Sequence, residues 1–233
     1  MSKRQVSVQG TGAMAEDVQL VIGNRNYSSW SLRAWLPLAK SGVEFETVLL
    51  PLDTPEFFAR IGEYSPTGRV PVLWHEGQCI WDSLAIGEYI NEQFAGGALW
   101  PQDPSSRALG RSMAAEMHSG FTALRSRMPM NCRASGRTVE LDDALNADLE
   151  RLWSLWSDSL DCHHDHGPWL LGQYSLADAM FAPVVLRLGT YGIEPPADLQ
   201  PYCSAVSNDD TLSAWIELAL QEKWIVEADE AGA

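Results

Sequence analysis

Hydroxyl side chains cluster where an apolar segment gives way to a helical pattern. Tyr27, Ser28 and Ser29 follow the apolar run at residues 20–22, and residues 29–41 have helical spacing. A hydroxyl at the N-terminus of a helix can donate a hydrogen bond to an anion, and the free N–H groups and positive dipole end of the helix favour the same anion. Serine is also the ordinary residue of a helix cap. Taken alone, the segment therefore predicts a capped helix.

Two later motifs give the first one more weight. Residues 65–73 read Ser-Pro-Thr-Gly-Arg-Val-Pro-Val-Leu, and Asp82 and Ser83 stand directly before another helical pattern. Val70-Pro71 by itself is typical of a turn before a strand. Together with these two motifs, the serine segment favours a functional role over a plain helix cap.

The elements that must position these motifs alternate in the first part of the chain. Apolar runs and alternation predict strands at 18–22 and 44–50 and a hairpin of 70–74 with 79–81. Helical spacing predicts helices at 29–41, 55–61 and 82–94, the first ended by Gly42. The order β-α-β-α-β-β-α predicts a small α/β layer.

Beyond a Gly- and Pro-rich linker at residues 96–104, the chain shows no pattern typical of β-strands. Helical spacing predicts four helices, at 107–128, 141–162, 176–191 and 211–221. Residues 175–178, Ser-Leu-Ala-Asp, form a variant of the capping box, so Asp178 is interpreted as a folding element and not as a catalytic group. The second part is therefore predicted to be an all-α domain.

Composition excludes several classes of function. The net charge of -15 and the pI near 4.6 argue against nucleic acid or an anionic membrane as a partner. The four cysteines form no CxxC pair, which favours a reduced cytoplasmic protein. Residues 1–17 lack the apolar core of a signal peptide and are predicted to be a flexible extension. His163, His164 and His166 have no common zinc spacing, so no metal is expected.

The order of elements and motifs resembles the cytosolic glutathione transferase family, over nearly the whole chain after residue 17. The serine-bearing first loop, Val70-Pro71, Asp82-Ser83 and the box at 175–178 match in order and spacing. The resemblance is to bacterial members of serine type. It implies a thioredoxin-like N-terminal domain at 18–96, a linker at 97–104 and an all-helical domain at 105–233.

The resemblance implies a glutathione site on the N-terminal domain. In this family the bond before the matching proline, Pro71, is cis, so that the backbone of Val70 pairs with the cysteinyl backbone of glutathione. Ser83 and the helix start would bind the γ-glutamyl carboxylate, and Asp82 its ammonium, although the family commonly has Glu or Gln there. Arg69 could meet the glycyl carboxylate, and a solvated arginine is an equal alternative.

The resemblance also assigns a first-loop hydroxyl to the glutathione sulfur, as a hydrogen-bond donor to the thiolate. Lowering a thiol pKa from about 8.5 to roughly 6.5 requires about 2.7 kcal/mol. One charge-assisted hydrogen bond of about 1.5–3 kcal/mol and a helix terminus of about 0.3–1 kcal/mol supply it. Position favours Ser28, with Tyr27 and Ser29 as alternatives. No cysteine stands near this helix start, which argues against the cysteine-type members.

Within the family the local pattern resembles the zeta class, which includes maleylacetoacetate isomerases and has Ser-Ser-Cys-Ser-Trp-Arg here. The chain matches at Ser28, Ser29, Ser31 and Arg33, whereas Trp30 replaces the cysteine and a leucine replaces the tryptophan. An indole beside the sulfur would reshape the pocket, so Trp30 is counted among the residues of the second-substrate site.

The second substrate is expected between the two domains, against the first long helix of the helical one. There Met113, Met117 and Phe121 share a stripe that suits either a core or a permissive apolar pocket. His118 and Arg125, seven positions apart, could meet a carboxylate of the substrate. The alternative for these two is a solvated pair or hydrogen bonding between helices.

The resemblance thus predicts an enzyme that binds reduced glutathione as co-substrate, stabilises its thiolate through Ser28 and adds it to a small electrophile. A homodimer is expected from the resemblance only. Two alternatives remain. One is a glutathione-dependent cis–trans isomerase of the maleylacetoacetate or maleylpyruvate type, and the other is a non-enzymatic binding protein with this fold. The intact set of motifs favours an enzyme.

Overall fold

The structure of the chain is a computed structural model that describes residues 18–232. Its first part is a four-stranded mixed sheet in the order β2-β1-β3-β4. Strand β1 pairs in parallel with β2 and antiparallel with β3, which forms a hairpin with β4. The strands are β1 (Val18–Ile22), β2 (Glu46–Leu49), β3 (Val72–His75) and β4 (Gln78–Ile80). The extension predicted at 1–17 lies outside the described residues.

Three helices cover this sheet, and each begins at a side chain that caps it. Ser28, Thr54 and Asp82 accept backbone N–H groups of α1, α2 and α3 respectively. Helix α1 ends at Gly42, whose φ of 77° is a left-handed conformation that glycine adopts without strain. The helices are α1 (Ser29–Ser41), α2 (Pro55–Tyr64) and α3 (Ser83–Gln93).

The second part is helical, and the predicted class of α/β layer plus all-α domain is confirmed. A continuous apolar core joins α1 and the sheet to the helices of this part. Within residues 18–232, none of the helices is both long and apolar enough to cross a membrane. The helices are α4 (Pro104–Ser119), α5 (Thr122–Arg127), α6 (Asp143–His163), α7 (Leu176–Tyr191), α8 (Gln200–Ser207) and α9 (Asp210–Leu220).

The prediction of a single helix at 107–128 was wrong, because the chain turns between α4 and α5. Gly120 is extended and Phe121 is left-handed, with φ of 53°. At this turn, backbone groups that have lost their helical partners form hydrogen bonds to other groups. Nη1 of Arg125 donates to the carbonyl oxygens of His118 and Gly120, at 3.3 and 3.2 Å. The N–H of Leu124 donates to a carboxylate of α6. Apolar spacing continues through the turn, so periodicity could not locate it; helix α8 was missed as well.

Helix α7 is the central buried element of the helical part. Asp178 is 1% exposed and caps its start, accepting the N–H of Ser175 at 2.8 Å and of Leu170 at 3.1 Å. Burial raises the pKa of Asp178 to about 6. The predicted capping box is confirmed, and these contacts are those of a structural residue.

Replacing Asp178 by alanine should destabilise the fold by about 2–4 kcal/mol, because a cap is lost and two buried N–H groups lose their acceptor. The free energy of unfolding from urea denaturation measures this. Exposed Asp158→Ala on α6 is the matched control and should change it by under about 0.5 kcal/mol. An equal effect of both substitutions would contradict the capping role.

Candidate functional site

Two adjoining cavities lie where the sheet domain meets the helices. The first, here called the loop cavity, has a volume of about 620 Å³. The second, called the serine cavity, has a volume of about 370 Å³ and opens at the N-terminus of α1. Trp30 and Arg125 line both. The remaining residues of the loop cavity are Thr67, Arg69, Val70, Pro71, Trp81, Asp82 and His118.

The loop cavity gathers the motifs predicted to bind glutathione. The Val70–Pro71 peptide bond is cis, as predicted, and Arg69 is exposed at the rim. Ser83 follows Asp82 at the start of α3. It is 1% exposed, and its Oγ has no hydrogen-bond partner among residues 18–232. A buried hydroxyl without a partner is costly. Ser83 does not itself line the loop cavity, but its neighbour Asp82 does.

Asp82 and His118 contact each other across the domain boundary. Oδ2 of Asp82 lies 3.1 Å from Nε2 of His118, while Oδ1 accepts the N–H of Leu84 at 3.2 Å. The ring of His118 also packs edge-on against Trp30, with 5.2 Å between ring centres. The carboxylate predicted for the glutathione ammonium and the imidazole predicted for the second substrate are therefore already partners of each other.

In the serine cavity, Ser28 stands at the end of a chain of hydrogen bonds. Its Oγ accepts the N–H of Ser31 at 3.3 Å and lies 2.7 Å from the Oγ of Ser31. The Oγ of Ser31 in turn accepts the N–H of Gly23 at 3.1 Å. Either of these two hydroxyls can donate to the other. With Ser31 as the donor, the proton of Ser28 is free to donate into the cavity.

The other two first-loop hydroxyls have different partners. The hydroxyl of Tyr27 donates to Glu230 at 2.6 Å and accepts from Arg133 at 2.8 Å. Burial and the bond to Glu230 raise the pKa of Tyr27. The Oγ of Ser29 accepts from Nη2 of Arg187 at 3.0 Å. Tyr27 therefore ties the first loop to the C-terminal segment, and Ser29 ties it to α7.

Trp30 forms the wall between the cavities and is held by two guanidinium groups. The Cζ of Arg33 lies 4.9 Å from its ring centre, and the Cζ of Arg125 lies 4.6 Å from it. Cation–π contacts of this length favour a fixed indole. The structure thus places Trp30 and Arg125 on both cavities and His118 on the loop cavity.

The apolar stripe of α4 lies elsewhere. Met113 and Met117 are fully buried and Phe121 is 6% exposed, and all three belong to the hydrophobic core. None of the three lines the loop cavity or the serine cavity. The structure therefore does not place them in a second-substrate pocket. Of the two interpretations of the stripe, it agrees with the one that assigns these residues to the core.

Arg187 is a residue of the site that sequence reasoning missed. It lies on α7 and is 3% exposed, and its Nη1 donates to the carbonyl oxygens of Arg125 and Met128 at 3.1 and 3.0 Å. Burial, with the charge of Arg125, lowers the pKa of Arg187 to about 10, so it stays cationic at neutral pH. A signal existed: Arg187 is the single charged residue between Asp178 and Tyr191. Burying a charge inside an otherwise apolar helix is costly, so such a residue is expected to have hydrogen-bond partners or a functional role.

Comparison with known proteins identifies relatives of this architecture. Residues 27–93 match the sequence model of the glutathione S-transferase N-terminal domain. Protein IN2-1 from Zea mays is 28% identical over 167 residues, which are 71% of this chain and 63% of that protein. A probable maleylacetoacetate isomerase from Caenorhabditis elegans is 34% identical over 100 residues, 43% of this chain and 46% of that protein. The chain thus spans less than two thirds of the length of both.

A solved structure extends the match to nearly the whole chain. A glutathione transferase homolog from Burkholderia, crystallised with bound glutathione, superposes with a TM-score of 0.70 at 25% identity. The superposition covers 89% of this chain and 100% of the Burkholderia chain. The chain has the glutathione transferase fold, and these matches support the cytosolic family of that name.

Removing the hydroxyl of Tyr27 should loosen the C-terminal segment. Tyr27→Phe deletes the bonds to Glu230 and Arg133, and we expect a loss of about 1–2 kcal/mol in the free energy of unfolding. Limited proteolysis should cut the segment after residue 222 faster than in the unsubstituted protein. Tyr64→Phe, whose hydroxyl accepts from half-buried Arg60 of the same helix, is the control and should leave cleavage unchanged. Unchanged cleavage in Tyr27→Phe would contradict this role.

Proposed function

We propose, from the glutathione transferase fold of this chain, that it is an enzyme that binds reduced glutathione and transfers its sulfur to a small electrophile. The observation that carries the proposal is the position of Ser28 at the N-terminus of α1, where it lines the serine cavity. Its Oγ accepts the N–H of Ser31 and lies 2.7 Å from the Oγ of Ser31, so with Ser31 as the donor the proton of Ser28 can point to a bound sulfur. Tyr27 and Ser29, the two rival hydroxyls, are committed to Glu230 and Arg187.

The loop cavity is proposed to hold the peptide backbone of glutathione. Its volume of about 620 Å³ is in the range of small-molecule sites. The backbone of Val70 would pair with the cysteinyl residue, and the unpartnered Oγ of Ser83 would bind the γ-glutamyl carboxylate at the start of α3. Arg69, exposed at the rim, would meet the glycyl carboxylate. The glutathione bound by the Burkholderia homolog supports this use of the fold.

The ammonium of the γ-glutamyl group would reach Asp82 beside His118. The carboxylate side chain of Asp82 is 54% exposed, so its bond to His118 is weak and can be shared or exchanged at little cost. Asp82 is therefore proposed to bind the ammonium with Oδ2 while Oδ1 continues to cap α3. His118 would then link glutathione binding to the helical part.

Thiolate stabilisation is the proposed chemistry of Ser28. When the thiol of glutathione loses its proton to water, the Ser28 hydroxyl donates to the sulfur, and the N-terminus of α1 adds its dipole. The thiolate then forms a bond to an electrophilic carbon. The displaced electron pair leaves with a leaving group or is taken up by a conjugated carbonyl, which gains a proton. The protein supplies orientation and a preorganised donor, and the nucleophile belongs to glutathione.

Cis–trans isomerisation is a second candidate, favoured by the 34% identity to a probable maleylacetoacetate isomerase. In that reaction the thiolate adds to a double bond, the bond rotates and the thiolate leaves. Incubation with maleylacetoacetate and glutathione separates the two functions. Isomerisation returns all of the glutathione, whereas transfer consumes it in proportion to product.

The first test is the pKa of the bound thiol. Ser28→Ala should raise it by about 1–2 units, because a charge-assisted hydrogen bond of about 1.5–3 kcal/mol is lost. Titrating glutathione into the protein at about pH 6.5 and following the ultraviolet absorption of the thiolate measures this. Tyr27→Phe is the control and should keep the signal. Binding without any thiolate signal in the unsubstituted protein would favour a binding protein, and no binding would remove the function.

A related prediction concerns Ser31, which we expect to position Ser28. Ser31→Ala should raise the thiol pKa in the same direction as Ser28→Ala but by less, about half a unit, because Ser28 keeps its own proton and loses only its orienting partner. Ser31→Thr keeps a hydroxyl and should restore the pKa. If Ser31→Thr and Ser31→Ala give the same thiol pKa, the hydroxyl of Ser31 has no part in activation.

A further inference from the structure

Three arginines without a carboxylate partner converge on the N-terminus of α1. Arg33, Arg125 and Arg187 form no ion pair within 4.0 Å in the part of the chain that the structure describes. Their mutual repulsion and burial lower the pKa of Arg33 and Arg187. In a chain with a net charge of -15, such a concentration of unpaired cations needs an explanation.

Arg187 is the one of the three that is both buried and aimed at a cavity. Two of its nitrogens hold the backbone at the end of α5 and the Oγ of Ser29, while its Nε has no partner among residues 18–232. Arg187 and Arg125 line the serine cavity together. Ser29 accepts from Arg187, so its hydroxyl proton is free to donate to an anion. The cavity therefore offers two cations and the hydroxyl protons of Ser28 and Ser29.

One carboxylate, that of Asp229, lines the same cavity in the described structure. Asp229 belongs to a short helical turn at Glu227–Asp229 in the C-terminal segment. The charged groups that face it are Arg187, Asp53 and Glu230. Burial raises the pKa of Asp229 to about 6, against the attraction of Arg187. Asp229 therefore compensates the cavity only in part, and less so below about pH 6.

We infer that the serine cavity binds the carboxylate of the second substrate, with Arg187 and Arg125 as its cationic partners, so that the enzyme acts on small electrophiles that carry a carboxylate. This inference rests on the proposed function. The two cavities meet at Trp30, so glutathione in the loop cavity and an anion in the serine cavity would approach each other beside Ser28. The cavity volume of about 370 Å³ limits the second substrate to a small molecule.

A Michael acceptor provides a probe of this class. With trans-4-oxo-4-phenylbut-2-enoate, the thiolate forms a bond to the alkene carbon next to the carboxylate. The alkene electron pair moves to the ketone as an enolate, and the enolate carbon takes a proton from water. The methyl ester of the same compound reacts in the same way without the negative charge. Each enzymatic rate is divided by the rate of the uncatalysed reaction with glutathione, which removes the difference in intrinsic reactivity.

Arg187→Met removes structural contacts as well as the charge, so its effect is measured as the ratio of the normalised kcat/KM for the carboxylate to that for the ester, which should fall about thirtyfold whatever loss the two compounds share. Arg60→Met on the exposed face of α2 is the matched control and should change neither. An equal loss for acid and ester, with a raised thiol pKa, would mean that Arg187 acts on the thiolate and would overturn the inference. No turnover of either compound by the unsubstituted protein would instead refute the proposed function.

Equilibrium binding keeps the test valid even when Arg187→Met does not fold. The saturated compound 4-oxo-4-phenylbutanoate cannot react with thiols, and its binding in the presence of glutathione is measured by calorimetry. Asp229→Asn removes the competing charge and should tighten binding about three- to tenfold at neutral pH. In the unsubstituted protein binding should tighten as the pH falls through about 6, because Asp229 becomes neutral, and in Asp229→Asn this dependence should be absent. Weaker or unchanged binding in Asp229→Asn, or binding of the methyl ester as tight as that of the acid, would overturn the inference.

Discussion

The buried guanidinium of Arg187 is the interaction on which the geometry of the site depends. It connects the C-terminal half of α7 to the backbone at the end of α5 and to Ser29 at the start of α1. Removing a charge from water is expensive, and its cost is offset only where hydrogen bonds replace the solvent. Because Arg187 and its partners lie in three different segments, the charge can be buried only when all three are in place. The same side chain therefore assembles the domain boundary and sets the electrostatic character of the cavity.

The first loop is held from its other side by carboxylates of the C-terminal segment. Glu222 accepts the backbone N–H groups of Arg25 and Asn26, and Glu230 accepts from the hydroxyl of Tyr27. Arg137 forms a further ion pair with Glu230. Ser28 thus lies in a loop whose backbone is fixed before and after it. A donor that is already fixed loses little entropy when an anion arrives, which is the condition for effective electrostatic stabilisation.

Local signals in the sequence predicted those parts of the fold whose causes are local. The bounds of α1 and α7 follow from a cap at one end and Gly42 or Gly192 at the other, and both were predicted to the residue. The turn at Gly120 was not, because apolar spacing continues through it and the carboxylate that accepts the N–H of Leu124 lies on another helix, α6. The role of Arg187 was missed because its partners lie about sixty and about one hundred and sixty residues away in the sequence. Ser28 could be preferred to its neighbours from position alone, but the partners of Tyr27 and Ser29 lie about two hundred and about one hundred and sixty residues away.

Trp30 has a consequence for how this site can change during evolution. It stands between the two cavities, packed between Arg33 and Arg125, and it lines both. A smaller side chain would remove the shared wall and join the cavities, and would also take the aromatic face away from both guanidinium groups. A tryptophan codon is one base from a cysteine codon. A single nucleotide change at this position could therefore alter the volume of the pocket, its charge balance and the nucleophiles present in it at once.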